Sequence, residues 1–298
     1  MVYLATHTTR YLYDEPVSQC LNEVRLTPRA TRGQKLHKFR LDVDPEPAML
    51  ETRTDYFGND VTTFAVLRTH ERMTATATSV VEVTAPDWDP READITWEDT
   101  RELLRAHPSD ELMAAYEFAF ESPFVPSLRP LADYAKLTFR PGRRLTEAAE
   151  ELSQRVYREF KYSPAATSID TPLANVLGNR KGVCQDFANI MIGSLRAMGL
   201  AARYVSGYLR SGANYQGADA SHAWVSVFVP GAGWLDFDPT NNVRPTDGHV
   251  TLGWGRDYGD ITPVKGVSLG GGRQIVEVAV QVKPLEEEPG SGYNSIVK

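Results

Sequence analysis

Gly178-Asn179-Arg180-Lys181-Gly182-Val183-Cys184-Gln185-Asp186-Phe187 sets a cysteine just after a polar, glycine-containing loop and at the head of an apolar run. From Cys184 to Met198 the residues are apolar nearly all round, which predicts a buried helix, and Gly199 suits the left-handed residue that closes one. Helix N-termini carry partial positive charge from unpaired N–H groups and aligned peptide dipoles. A cysteine placed there should favour its thiolate, the form that attacks carbonyls, and the same N–H groups can hold an oxyanion. A packed core thiol is the plainer reading of this segment taken alone. Cys20, the other of the two cysteines, has no comparable setting and is assigned to structure.

Downstream, Ser221 to Val229 alternates as a strand, Pro230-Gly231-Ala232-Gly233 turns the chain, and Trp234-Leu235-Asp236-Phe237-Asp238 returns it. With 229–233 as the loop, Phe228 pairs with Trp234 and Trp224 with Asp238. His222 and Asp238 then share a face as diagonal neighbours, roughly 7–8 Å apart at the backbone. A loop one residue shorter would put them on opposite faces. Asp236 has the same parity but lies further from His222, so Asp238 is the better orienter of the imidazole. A lone strand histidine is usually structural. The combination of Cys184, His222 and Asp238 reads as a nucleophile, its base and the acid that holds the base.

Upstream the chain is rich in strands. Met73, Ala75, Ala77, Ser79, Val81 and Val83 alternate with polar residues, and Gly58-Asn59-Asp60 opens a further strand at 61–70. Candidates at 3–13 and 36–43 complete an antiparallel sandwich over 1–86. The segment 85–90, with two prolines, breaks the pattern, and helices follow. Ser109 caps one, Leu145 to Phe160 forms a clear amphipathic one, and Thr171-Pro172 starts a short one. Strands are expected again at 202–209, 222–229, 234–238 and 274–282. The second domain therefore spans 91–285, and the Glu-, Pro- and Gly-rich stretch 286–298 reads as a flexible tail.

The charge of −7 argues against a nucleic-acid partner, and no apolar run approaches the roughly 18 residues needed to span a bilayer. The first residues lack the features of a secretory leader, so a cytoplasmic location and no membrane partner are expected. Two distant cysteines suggest neither a disulfide framework nor a Cys-rich zinc site. The acidic residues have no EF-hand spacing, so no metal and no cofactor is expected. Gly266-Val267-Ser268-Leu269-Gly270 matches the nucleophile elbow of serine hydrolases but precedes a Val-rich strand instead of a helix, and is read as chance.

Three blocks, Gly182-Val183-Cys184-Gln185-Asp186, Ser221-His222-Ala223-Trp224 and Phe237-Asp238-Pro239-Thr240-Asn241, resemble the signature blocks of the transglutaminase-like superfamily, in its order of Cys, His, Asp. Tyr11 to Asp14, Asn22 to Arg29 and Asp55 to Asn59 are similar to the β-rich N-terminal domain of bacterial members. The resemblance implies an α+β fold with a papain-like core and catalytic roles for Cys184, His222 and Asp238. It further implies acyl transfer from a peptide or protein amide through a thioester, with hydrolysis favoured over cross-linking. A non-catalytic binding module of the same fold, or an amine acyltransferase, is the alternative. The second oxyanion donor is left open among Gln185, Tyr162 and Asn175, and a homodimer is compatible with the sequence.

Overall fold

The computed structural model describes residues 1–85, 95–164, 166–213 and 215–285. The sequence break at 86–90 and the tail at 286–298 lie outside the described residues. Alternation of inward Tyr3, Ala5, His7 and Thr9 with more exposed neighbours builds β1 (Val2–Val24), the spine of a seven-stranded antiparallel sheet. Its first half lies between β5 (His70–Val83) and β13 (Gln274–Pro284). Its second half, from Val17, lies between β4 (Asp60–Val66) and β12 (Val264–Gly270). β2 (Gln34–Asp44) flanks β5, and β3 (Met49–Thr54) flanks β4.

The strands are linked as one hydrogen-bonded sheet, because β1 is long enough to shift register between Leu12 and Val17 and serve two sets of neighbours, and residues from both of its halves share one core. β12 and β13 return from the C-terminal side to pair with β1, so strands from both sides of the expected division at 1–86 and 91–285 share this sheet. The alternation around Ile275 to Val282 indicates a strand without naming its partner, which lies about 270 residues away in the chain.

The second layer holds the helices α1 (Trp97–Ala106), α2 (Asp110–Tyr116), α3 (Arg129–Lys136), α4 (Leu145–Glu159), α5 (Leu173–Asn179) and α6 (Cys184–Ala197). A two-stranded piece joins β6 (Lys161–Tyr162) to β7 (Lys181–Gly182), and a four-stranded sheet runs in the order β10-β9-β8-β11. Its strands are β8 (Ala202–Leu209), β9 (His222–Val229), β10 (Gly233–Phe237) and β11 (His249–Gly255). Pro172 is the cap of α5, one position earlier in the helix than expected, while Thr171 accepts the Ser168 N–H instead.

α6 packs on β8 and β9, and twelve of its residues are buried. Ile190, Met191, Ile192 and Leu195 are fully enclosed, each worth roughly 1.5–3 kcal/mol of apolar burial. At its far end the Arg196 guanidinium donates to the carbonyls of Phe118, Ala202 and Arg256, and Gly199 turns the chain at φ +78°. The nucleophile candidate therefore stands on a helix that cannot shift without opening the core.

The two sheets are joined at β11. Tyr208, Val250 and Leu252 bury into the same core as Tyr3, Val81 and Val282. The outer edge of β11 is completed by side-chain amides from the N-terminal part of the chain. Gln34 donates to Thr251 O and accepts from Thr251 N, while Asn59 does the same at Trp254. Gly253 lies between these residues because a Cβ there would stand 2.4 Å from Asn59 Oδ1.

His7 bridges the layers as well, its Nδ1 3.0 Å from the Tyr208 hydroxyl and its Nε2 2.9 Å from Thr9 Oγ1. Burial pushes this imidazole down to about 4. Between that value and the ordinary 6.5, the unfolded chain takes up a proton that the folded chain refuses, so stability falls as pH drops through this window. Urea unfolding should show about 3 kcal/mol of acid-side loss that is absent from His7→Gln. Parallel slopes for the two proteins between pH 7 and 4 would contradict this account.

Candidate functional site

Cys184 is the first residue of α6, with Val183 in extended backbone before it. The Val183 N–H donates to Asp186 Oδ2 at 2.8 Å, and Thr167 Oγ1 donates to the same oxygen at 2.6 Å. Asp186 thus caps the helix from within its first turn, leaving the first helical N–H groups beside the thiol. Gly182 has no room for a side chain, because a Cβ would stand 2.5 Å from Asp186 Oδ2. The thiol is enclosed, with Cys184 8% exposed.

The β9–β10 hairpin has the expected register, with Phe228 opposite Trp234 and Ser226 opposite Asp236. Val229 also pairs with Gly233, so the connection is three residues, 230–232, instead of five. Removing a pair of residues from the loop leaves the facing unchanged. His222 Nε2 accordingly lies 2.9 Å from Asp238 Oδ2. Asp236 takes a different partner, the Trp224 indole N–H at 3.1 Å.

After β10 the chain folds back at Pro239 to Asn242, and Asp238 bridges Val243. This turn brings the Thr240 and Asn241 N–H groups onto Asp238 Oδ1, at 2.9 and 3.2 Å. The Asn241 side chain donates to Oδ2 at 2.8 Å. A second imidazole, His249 Nε2, reaches Oδ2 at 3.2 Å. Asp238 is wholly buried, which favours the acid form, but the charge of His222 and these hydrogen bonds hold it far below the usual carboxylate range. For His222, burial opposes the charged ring, while Asp238 and the nearby Cys184 thiol outweigh it and raise its proton affinity.

With Nε2 committed to Asp238, Nδ1 is the ring nitrogen left for the thiol. No hydrogen bond closes at Nδ1 among the described residues, although the sulfur is near enough to act on the ring. Gly217 covers this point. Its φ is +84°, and a Cβ there would lie 3.2 Å from His222 Nδ1 and 3.3 Å from the Tyr162 hydroxyl. A substituent would both strain the backbone and crowd the His222 ring and the Tyr162 hydroxyl. Burial and the charge of Cys184 push the Tyr162 phenol up to about 12, so it keeps its proton as a donor.

Of the three oxyanion candidates, Tyr162 stands beside His222 across Gly217, Gln185 follows Cys184 in the first turn, and Asn175 is exposed on α5. The rim around 210–220 is tied down, with Gln216 N–H on Asn241 Oδ1 and Ser211 and Asp219 paired to β13. Two residues of the site escaped the sequence reading. Tyr215 packs edge-on against His249, which is signalled only by the alternation of Val250, Leu252 and Trp254 behind it. Cys20 lies in the other core, 3.7 Å from His70 Nε2, and burial raises its thiol. Among the described residues no cluster of His, Cys, Asp or Glu could hold a metal ion, and no helix is long and apolar enough to cross a membrane.

Residues 3–82 match the bacterial transglutaminase-like N-terminal region, and residues 133–239 match the Transglutaminase-like superfamily. An uncharacterized protein of Mycobacterium tuberculosis (strain ATCC 25618 / H37Rv) is 35% identical over 297 residues, covering 95% of this chain and 93% of that one. A protein-glutamine gamma-glutamyltransferase of Pseudomonas aeruginosa is 38% identical over 130 residues, 40% of this chain and 19% of that protein. A solved structure of a candidate cysteine protease from Cytophaga hutchinsonii shares the fold over 96% of this chain and 92% of its own, with a TM-score of 0.76 at 20% identity.

The two thiols should separate cleanly under iodoacetamide at neutral pH, followed by mass spectrometry. Cys184 is expected to react at least about tenfold faster than Cys20, since only Cys184 has an imidazole held by a carboxylate. In Asp238→Asn that advantage should collapse. Equal, slow labelling of both in the native chain would contradict the assignment.

Proposed function

Because the chain belongs to the transglutaminase-like superfamily, with the N-terminal region of its bacterial members, we propose that it is a cysteine-dependent enzyme that breaks amide bonds through a thioester on Cys184. The observation that carries this reading is the orientation of His222, with Nε2 on a buried carboxylate and Nδ1 left for a sulfur at a helix N-terminus. The family consists largely of cysteine-based enzymes. The finer assignment concerns which bond is cut and what takes the acyl group.

His222 Nδ1 takes the proton of Cys184, and the resulting thiolate attacks the amide carbonyl carbon. Negative charge gathers on the carbonyl oxygen, where the N–H groups opening α6 and the Tyr162 hydroxyl are the donors at hand. The imidazolium then returns its proton to the leaving nitrogen, the C–N bond breaks, and an amine departs. The acyl group remains on sulfur. Water attacks the thioester, gives a proton to His222, and releases a carboxylic acid with the free thiol. Asp238 stabilises the imidazolium in both halves without itself being protonated.

Water as acceptor is the reading proposed for this bacterial-type chain, with a peptide or isopeptide as substrate. A second reading, a primary amine as acceptor, is favoured by the similarity to the glutamyltransferase of Pseudomonas aeruginosa over 130 residues. A peptide-amide library supplied with excess primary amine separates the two. Hydrolysis products should dominate, and Cys184→Ala should abolish them; a predominant amine-linked product would replace the hydrolase by a transferase. Tyr162→Phe is expected to lower kcat by about ten- to a thousandfold with little change in KM, the range for a lost oxyanion donor. An unchanged kcat would remove Tyr162 from the mechanism.

A further inference from the structure

His249 opens β11 and is buried, 3% exposed. Its Nε2 meets Asp238 Oδ2 at 3.2 Å, the same oxygen that His222 Nε2 reaches at 2.9 Å. The Trp224 ring stands edge-on to it at 5.3 Å and Tyr215 at 5.5 Å, so two aromatic contacts restrain its plane. Its Nδ1 has no hydrogen-bond partner among the described residues, so the tautomer with the proton on Nε2 is the one with an acceptor for it. Two imidazoles therefore point N–H groups at a single carboxylate oxygen.

We propose that His249 is a positioning residue for the reaction: by donating to the oxygen that His222 uses, it draws charge from Asp238 and limits how firmly the His222 proton is held. The inference rests on the catalytic reading of Cys184, His222 and Asp238. It follows from a conflict built into that mechanism. A buried carboxylate stabilises the imidazolium, but the imidazolium must surrender its proton to the leaving nitrogen. A further donor on the shared oxygen weakens the first effect in favour of the second.

An anchoring role alone does not account for His249. Asp238 Oδ1 is already pinned by two backbone N–H groups, and Oδ2 is held by Asn241. The carboxylate would stay in place without His249, but its charge would be less shared. The titratable groups facing His249 are Asp238 at the end of the hairpin, His222 on β9 and Tyr215 in the 210–220 loop, with Cys184 beyond His222.

The direction of the effect separates this role from simple packing. In the full chain, the rate of Cys184 alkylation by iodoacetamide is followed against pH, with Cys20 as the internal reference. His249→Phe keeps the ring and removes the donor. The alkaline limb of its profile, where the imidazolium loses its proton, should move to higher pH by about one unit, because a carboxylate whose charge is less shared holds that proton more firmly. Amide turnover should fall about tenfold with KM unchanged. His249→Gln, whose amide can donate to the same oxygen, should restore both. A limb that stays in place, or one that moves down in pH as in a merely loosened site, would overturn the proposal, as would failure of His249→Gln to restore it. If the native profile is indifferent to His222→Ala, the underlying catalytic reading fails; if only the His249 variants are silent, this inference alone fails.

Discussion

A carboxylate with no access to water governs this site. Sealing an ion in the interior costs several kcal/mol unless its lone pairs are met. Hydrogen bonds to a charged group return about 1.5–3 kcal/mol each. Asp238 collects five donors from its own turn, from Asn241 and from two histidines. Such a set keeps the group ionised, and an ionised group at that place dictates the rest. It fixes which nitrogen of His222 faces the hairpin, which nitrogen faces the thiol, and why the Pro239 to Asn242 turn must fold back. The chemistry proposed for Cys184 is downstream of this one charge.

The constraint extends to the other end of the molecule. β11 is an edge strand, and exposed backbone groups at an edge invite wrong partners. Here the amides of Gln34 and Asn59 satisfy them, so β11 sits between β8 and the N-terminal sheet. A stack of alternating cations and rings reinforces the joint. Arg29 lies 3.6 Å over Trp254, and Arg203 lies between Trp254 at 3.7 Å and Trp234 at 4.3 Å. Burial brings the Arg203 guanidinium down to about 9, with Asp236 opposing that shift. The N-terminal sheet thereby acts as a wall against which the strand carrying His249 is set.

Much of this was legible in the chain itself. Period-two alternation marked β5, β9 and the first half of β1, and hairpin parity with an odd-numbered loop put His222 and Asp238 on one face. The apolar run from Cys184 to Met198 located α6. The rest depended on information that local patterns do not contain. The partner of β13 is β1, and no turn residue announces a pairing across the whole chain. β11 carries glycines at 253 and 255, which weaken a strand signal; Gly253 leaves room for Asn59 and Gly255 for Asp260. His249 stood outside every motif because it acts through Asp238, and a residue that touches only another side chain leaves no spacing to read. The segment 266–270, set aside as a false elbow, is strand β12.

The pairing of β1 with β12 and β13 makes β1 wait, during synthesis, for partners far later in the chain. Until residues 264–284 are synthesised, β1 is flanked only by β4 and β5, and the faces that Val280 and Val282 cover stay open. Contacts of such long sequence separation are entropically slow to form. The same late strand holds Ser211 and Asp219, the ends of the loop whose Gly217 covers the His222 imidazole and the Tyr162 hydroxyl. A nascent chain can thus have α6 in place while the surround of Cys184 and His222 is unfinished. The docking of β13 on β1 and the enclosure of that imidazole become a single event.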